Sequence, residues 1–294
     1  MLEHPHDLWL SALQVDGQTL LGFGLAGCPA SDSPVAAVAP DAAHALVVAV
    51  LETFLDLARP DQARMRDLLK EMPVARFLEH VAARLPQQLL VDRKVTDWRR
   101  APVRYFAHIG TYSQASAGIV AVGAGVPLGR LRPSMLHEAA QLATAFGDGQ
   151  LCMTPWQSLM LRNVPTAKSA AVMDGLSNAG LLVDAAQSLS KIVACTGSAA
   201  CAKGLADTKA DGLRLAALLQ ENAVSRAVHL TGCVRSCAAA HVMPVTLLAA
   251  SPGRYDLYFR HAGMSGFGDL HARDLTIEAV GALLTADSRS NTHD

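Results

Sequence analysis

The sequence predicts an α+β protein, and three observations carry that reading. Short apolar runs bounded by Gly, Pro and Ser occur along the whole chain, the pattern of strands. Between them lie longer stretches whose apolar residues recur at three and four positions, the period of a helix. The composition, 51% hydrophobic and 17% charged over 294 residues, supplies enough apolar surface to bury one large core or two smaller ones, which argues against disorder.

Asp7–Val15 and Gln18–Leu25 flank Gly17 and read as a hairpin. Leu46, Val47, Val50, Leu51, Phe54 and Leu55 predict a helix, opened by Pro40 and Asp41 and ending near Ala58. Helical spacing continues through Met65, Leu68, Leu69 and Met72, is interrupted at Pro73, and resumes through Phe77, Leu78, Val81 and Leu85; proline separates the two helices. Residues 86–104 mix prolines with basic residues and read as a connection, with a boundary near 100. Gly118–Gly125 then reads as a strand, Pro133 to Gly147 as a helix, Leu151–Leu161 as one strand-like run, and Thr166 to Asn178 as a shorter helix. In the last third, strands Lys191–Ala194 and Ala227–Thr231 flank a helix expected from about Ala200 to Glu221. A hairpin follows across Ser251–Gly253, and a helix from Asp274 to about Leu284 closes the chain. These elements group into three parts: 1–95, 105–182 as a compact α+β module, and 188–290.

Charge and length exclude two classes of partner. With 25 Lys and Arg against 26 Asp and Glu, and a pI near 6.8, there is no global positive field to draw the chain to nucleic acid or anionic lipid. The most apolar run, Ala45–Leu51, ends at Glu52, far short of the roughly 20 residues a membrane helix needs. The first residues carry acidic and His side chains where a secretory signal needs a basic then an apolar region, so a cytoplasmic location is expected. Persistent disulfides are not expected there.

Cysteine spacing is the informative signal. Cys28 and Cys152 stand alone, whereas Cys195 and Cys201 have five residues between them and Cys233 and Cys237 have three. Each pair follows a predicted strand, so two neighbouring strands could present four thiols at one sheet edge. Three readings stay open at this level. An iron-sulfur cluster wants four thiolates in small-residue loops with backbone N–H groups near its sulfurs. Structural zinc usually takes two to four residues between thiols, and buried cysteines can be inert packing. His229 and His241 flank the second pair, and a His beside an apolar strand is more often a core residue than a ligand.

The segment Ala194–Thr208, followed by His229–Cys237, resembles the cluster signature of the nitrite and sulfite reductase superfamily and, within it, the precorrin-3B synthases. Met153–Leu161, with Thr154, Pro155 and Trp156, is similar to the synthases too. The reductases usually carry Pro and Asn in the second cysteine loop, where this chain has Val234, Arg235 and Ser236. The resemblance implies a ferredoxin-like half-domain over 105–182 and a cluster-binding α/β domain over 188–290, with 1–95 a remnant of the first half of the family's two-fold pseudo-symmetric fold. It implies that Cys195, Cys201, Cys233 and Cys237 ligate a [4Fe-4S] cluster, with a mononuclear iron or a siroheme as the further groups it admits. It also implies oxygen-dependent hydroxylation and lactone formation on the tetrapyrrole precorrin-3A, in aerobic cobalamin biosynthesis. Reducing equivalents would come from NAD(P)H through an electron-donor protein. Thr154, Trp156, Gln157 and Arg235 are the substrate contacts it suggests. Arg130, Arg132, Arg162 and Lys191 are further cationic candidates for the substrate's carboxylates. Because most of the first half is lacking, a second subunit or a homodimer is expected to complete the cavity. Siroheme-dependent reduction of nitrite or sulfite, and a truncated non-catalytic cluster-binding subunit, are the alternatives.

Overall fold

The computed structural model describes residues 5–101, 106, 108–219, 226–239, 243–261, 264 and 266–290. The chain divides into two compact units, Met1–Val103 and Arg104–Asp294. In the first, β1 (His6–Val15) and β2 (Gln18–Gly27) form an antiparallel hairpin in which Val15 pairs with Gln18. Asp16 and Gly17 both have positive φ, 49° and 81°, the backbone of a two-residue turn whose twist matches its strands. β3 (Ala36–Val38) adds to β2. Against this sheet pack α1 (Ala43–Leu57), α2 (Met65–Leu68) and α3 (Val74–Ala82), and Phe23, Leu46 and Phe77 are fully buried among them. Each such side chain contributes roughly 1.5–3 kcal/mol by leaving water. The Asp7 carboxylate accepts hydrogen bonds from the Met65 N–H and the Arg64 guanidinium, and the Arg64 contact holds it below the usual carboxylate range. A short α4 (Arg93–Thr96) follows, capped by the Asp92 side chain.

The second unit contains two sheets. β4 (Gly110–Ser113), β5 (Ile119–Gly125), β6 (Leu151–Thr154) and β7 (Ser158–Pro165) form an antiparallel sheet in the order β4-β5-β7-β6. It is covered by α5 (Pro133–Phe146) and α6 (Ser169–Asn178), with Val122, Ala139, Leu161 and Val172 at zero exposure between the layers. Leu151–Leu161, expected as one strand-like run, is two strands. The chain reverses at 155–157, where Gln157 takes φ of 56°, and apolar residues continue on both sides of the turn without marking it.

The second sheet has the order β12-β11-β10-β9-β8. Its strands are β8 (Ile192–Ala194), β9 (Val228–Thr231), β10 (Val245–Ser251), β11 (Arg254–Phe259) and β12 (Asp269–Leu275). β8, β9 and β10 are parallel and the rest antiparallel. Parallel strands need a long crossover, and α7 (Thr208–Leu219) lies in the connection from β8 to β9. α8 (Ile277–Ser290) packs on α7, and Leu215, Leu230, Leu247, Tyr255 and Leu257 are buried in this core.

Two expectations are corrected here. The helix expected from Ala200 begins only at Thr208: the alanines favour helix, but residues 195–207 are held as a loop by glycines packed against a second loop. The final helix begins at Ile277 rather than Asp274, because Asp269–Leu275 pairs with β11 as a polar, mostly exposed edge strand. Among the described residues no helix is long and apolar enough to cross a membrane.

Candidate functional site

Strand register brings the two cysteine loops together. Ala194 pairs with Leu230 in the parallel β8–β9 ladder, and the Cys195 N–H continues it by donating to the Leu230 carbonyl at 3.1 Å. Both strands therefore release their loops at the same, carboxyl-terminal, edge of the sheet, the edge at which α/β sheets bind ligands. The Gly232 N–H donates to Cys195 Sγ at 3.1 Å, and the Leu205 N–H donates to the Gly232 carbonyl at 2.9 Å. A Cβ on Gly232 would lie 3.0 Å from Gly204 Cα and 3.6 Å from Cys195 Sγ, and one on Gly204 would lie 2.6 Å from the Gly197 carbonyl carbon. Only glycine permits this approach of backbones.

Within the first loop the Cys201 N–H donates to the Gly197 carbonyl at 3.0 Å. Within the second, the Thr231 hydroxyl donates to the Cys233 carbonyl at 2.8 Å, and buried Ser236 takes φ of 53° between Cys233 and Cys237. Cys195 and Cys233 are half-buried, Cys201 and Cys237 exposed, and none of the six cysteines is in a disulfide. Among the described residues no three His, Cys, Asp or Glu side chains come as close together as a single metal ion requires. His229 is fully buried inside β9, and His241 lies outside the described residues.

Two residues beneath the loops were not singled out from the sequence. The Thr208 hydroxyl, buried at the start of α7, donates to the Cys195 carbonyl at 2.9 Å and lies 3.6 Å from its sulfur. The Lys209 ammonium donates to the carbonyls of Leu128 and Ala194. Burial and the nearby Arg130 push its pKa down. Deeper in the same core, the Tyr255 hydroxyl donates to Asp211 Oδ2 at 2.7 Å; burial, then the Asp211 contact, raise the phenol far above its ordinary value.

Lys209 leads to the β6–β7 turn. Leu128 precedes Gly129, whose bare Cα makes room for the Gln157 side chain: a Cβ there would lie 2.6 Å from Gln157 Oε1. The Val126 N–H donates to the Gln157 carbonyl at 2.9 Å. In the turn the Trp156 N–H donates to Thr154 Oγ1 at 3.2 Å, and the exposed Trp156 ring stacks on His108, centroids 5.6 Å apart and planes 11° from parallel. Burial lowers the His108 pKa. Thr154, Trp156 and Gln157 thus share one turn, joined through 126–130 and Lys209 to the strand that presents Cys195. Arg235 is exposed within the second cysteine loop, and Arg130 and Arg132 are exposed beside the 126–130 segment. Arg162 is different: its guanidinium donates to Asp148 and Gln150 and is committed to them. Lys191 closes the short helical turn before β8.

Residues 112–179 match the family described as the nitrite/sulfite reductase ferredoxin-like half domain, the segment that spans β5, α5, β6, β7 and α6. The chain superposes on the NirA protein of Mycobacterium tuberculosis with a TM-score of 0.74 at 20% identity, covering 97% of this chain and 57% of that one. The fold is that of the nitrite/sulfite reductases. Sequence relatives of this nitrite/sulfite reductase-like chain include the chloroplastic ferredoxin–nitrite reductases of Zea mays and Spinacia oleracea. They are 31% and 29% identical over 83% of this chain, and 46% and 44% of theirs. A ferredoxin sulfite reductase of Mycolicibacterium paratuberculosis is 28% identical over 63% of this chain and 34% of its own. The chain spans less than half the length of these curated relatives.

Proposed function

We propose that this chain is an oxidoreductase in which Cys195, Cys201, Cys233 and Cys237 hold a [4Fe-4S] cluster beside a bound tetrapyrrole. The observation that supports it most is the lacing of the two cysteine loops, with a backbone N–H on the Cys195 sulfur and three glycines clearing space between the loops. Four thiols on four chain positions suit a cluster whose irons each take one thiolate. When bound, the cluster would supply one-electron transfer. The Gly232 N–H would draw charge from the Cys195 thiolate and so make reduction easier.

The tetrapyrrole would lie against the Thr154–Gln157 turn. Trp156 presents an exposed flat ring, and Met153, in β6 just before the turn, and Leu205 and Val234, in the cysteine loops, are exposed apolar side chains. Such exposure of large apolar groups suits a flat, hydrophobic ligand. Arg130, Arg132 and Arg235 would take its carboxylates by charge-assisted hydrogen bonds.

The reaction we assign is oxygen-dependent hydroxylation of precorrin-3A with closure of a lactone from an acetate side chain. One atom of O2 enters the ring and the other leaves as water. Two electrons and two protons complete the balance, the electrons drawn from a donor protein. The Val234, Arg235 and Ser236 loop and the Thr154–Trp156 turn support this reading. A second reading, siroheme-dependent nitrite or sulfite reduction, is favoured by the names of the relatives.

The test is anaerobic purification, iron and acid-labile sulfide analysis, and two assays. Turnover of precorrin-3A that requires O2 supports the first reading. Siroheme absorption with nitrite or sulfite reduction supports the second and overturns the first. Absence of iron and sulfide after reconstitution overturns both.

A further inference from the structure

We propose that Lys209 is a positioning residue that ties the segment behind the Thr154–Gln157 turn to the strand end that presents Cys195, and so sets their separation. Its ammonium donates both to the Leu128 carbonyl, in the connection after β5, and to the Ala194 carbonyl at 3.4 Å, one residue before the cysteine.

The backbone at the first anchor is bent to suit. Leu128 adopts φ of 48° and ψ of 28°, a left-handed conformation that costs a non-glycine residue of order 1 kcal/mol or more. Its side chain is 4% exposed and belongs to the core of the five-stranded sheet. It sits over Gly212 of α7, where a Cβ would come within 3.2 Å of it. The next residue, Gly129, backs onto Gln157. Lys209 and Leu128 therefore form a two-part joint in which the leucine side chain plugs into the core and its carbonyl is gripped by the ammonium.

The charge at this place is costly to keep, since the group is half-buried and Arg130 adds a like charge. An apolar side chain of the same length would avoid both costs but could not supply the two hydrogen bonds to the carbonyls. The part of the claim that concerns cluster and tetrapyrrole rests on the proposed function above; the joint itself does not.

The experiment compares Lys209→Met and Lys209→Arg with the unaltered chain by amide hydrogen exchange and by redox titration of the reconstituted protein. The reporting amides are Gly129 and Arg130, bonded to the carbonyls of Val126 and Pro127, and Cys195, bonded to Leu230. In Lys209→Met their exchange should accelerate roughly tenfold, the equivalent of one hydrogen bond, while Leu247 and Leu257 in the core keep their rates. Lys209→Arg, which retains the charge and N–H donors, should restore slow exchange. In the reconstituted protein the midpoint potential should fall in Lys209→Met, where a positive charge near the cluster is lost, and return in Lys209→Arg. Unchanged exchange at 129, 130 and 195 in Lys209→Met, or equal acceleration at 247 and 257, overturns the joint. Equal potentials in all three proteins overturn its action on the site. If the unaltered chain takes up no iron or sulfide, the cluster reading falls, and the exchange rates still decide the joint.

Discussion

Replacing Tyr255 by Phe removes one oxygen from a fully buried ring and leaves Asp211 Oδ2 without the hydroxyl that donates to it at 2.7 Å. The ring itself stays, so the change isolates the hydrogen bond. Hydrogen bonds to charged groups contribute about 1.5–3 kcal/mol. Asp211 is 7% exposed, and its other charged neighbour, Arg214, stands 3.8 Å away, too far to take over. The Arg104–Asp294 unit should therefore lose about 2 kcal/mol, which at a urea dependence of about 2 kcal/mol per molar lowers its midpoint by about 1 M. Alkaline pH adds a second readout. An unfolded tyrosine titrates near 10, whereas burial and the Asp211 carboxylate raise the folded Tyr255 well above that. Above pH 10 the unfolded chain releases a proton that the folded chain retains. The stabilisation is thus complete below pH 10 and declines as pH rises, by up to about 1.4 kcal/mol per pH unit. Tyr255→Phe lacks this slope, so its deficit against the unaltered chain should narrow between pH 10 and 11. A midpoint within about 0.2 M of the unaltered protein at pH 8, with parallel pH profiles, would refute the assignment of this pair as a stabilising contact.

Cys201→Ser should abolish the brown absorbance of anaerobically reconstituted protein and leave its circular dichroism unchanged; an identical spectrum rejects Cys201 as a ligand. Gly232→Ala forces the two cysteine loops apart by a few tenths of an ångström against the Gly204 backbone. It should cost about 1–3 kcal/mol in urea unfolding and lower iron uptake, and an unaffected stability removes the close-approach argument. Gly17→Ala meets no atom within 4 Å at φ of 81°, so only backbone strain acts. The Met1–Val103 unit should lose about 1 kcal/mol, read as a lowered melting temperature of that unit alone.

Much of the fold was legible because local chemistry and tertiary placement agree. Gly17 between two apolar runs gave the β1–β2 hairpin, and periodicity gave α1, α3, α5 and α6 close to their observed limits. Where they disagree, the sequence misleads. Alanine-rich 200–207 has helical propensity, but Gly197 and Gly204 are committed to the contact with Gly232, so the helix waits until Thr208. β12 carries little apolar alternation because it is an exposed edge strand, and β3 and β4 are too short to show a period. In the candidate site, cysteine spacing pointed to the two loops. Thr208 and Lys209 were invisible because their partners, Cys195, Ala194 and Leu128, are fixed by β8–β9 register and the bend at Leu128. The Tyr255–Asp211 pair joins residues 44 apart that no local pattern connects.

The N–H to sulfur contact between Gly232 and Cys195 spans 37 residues, and α7 lies within that interval. Neither thiol loop can take its final shape on a nascent chain until the crossover has docked and β9 has found its place beside β8. A slip of one position would turn every side chain of β9 to the opposite face and move Gly232 out of line with the sulfur. Loading of the proposed cluster would accordingly be a late event in biogenesis, gated by completion of the sheet, and a chain stalled before β9 emerges would carry Cys195 and Cys201 on an unpaired strand end.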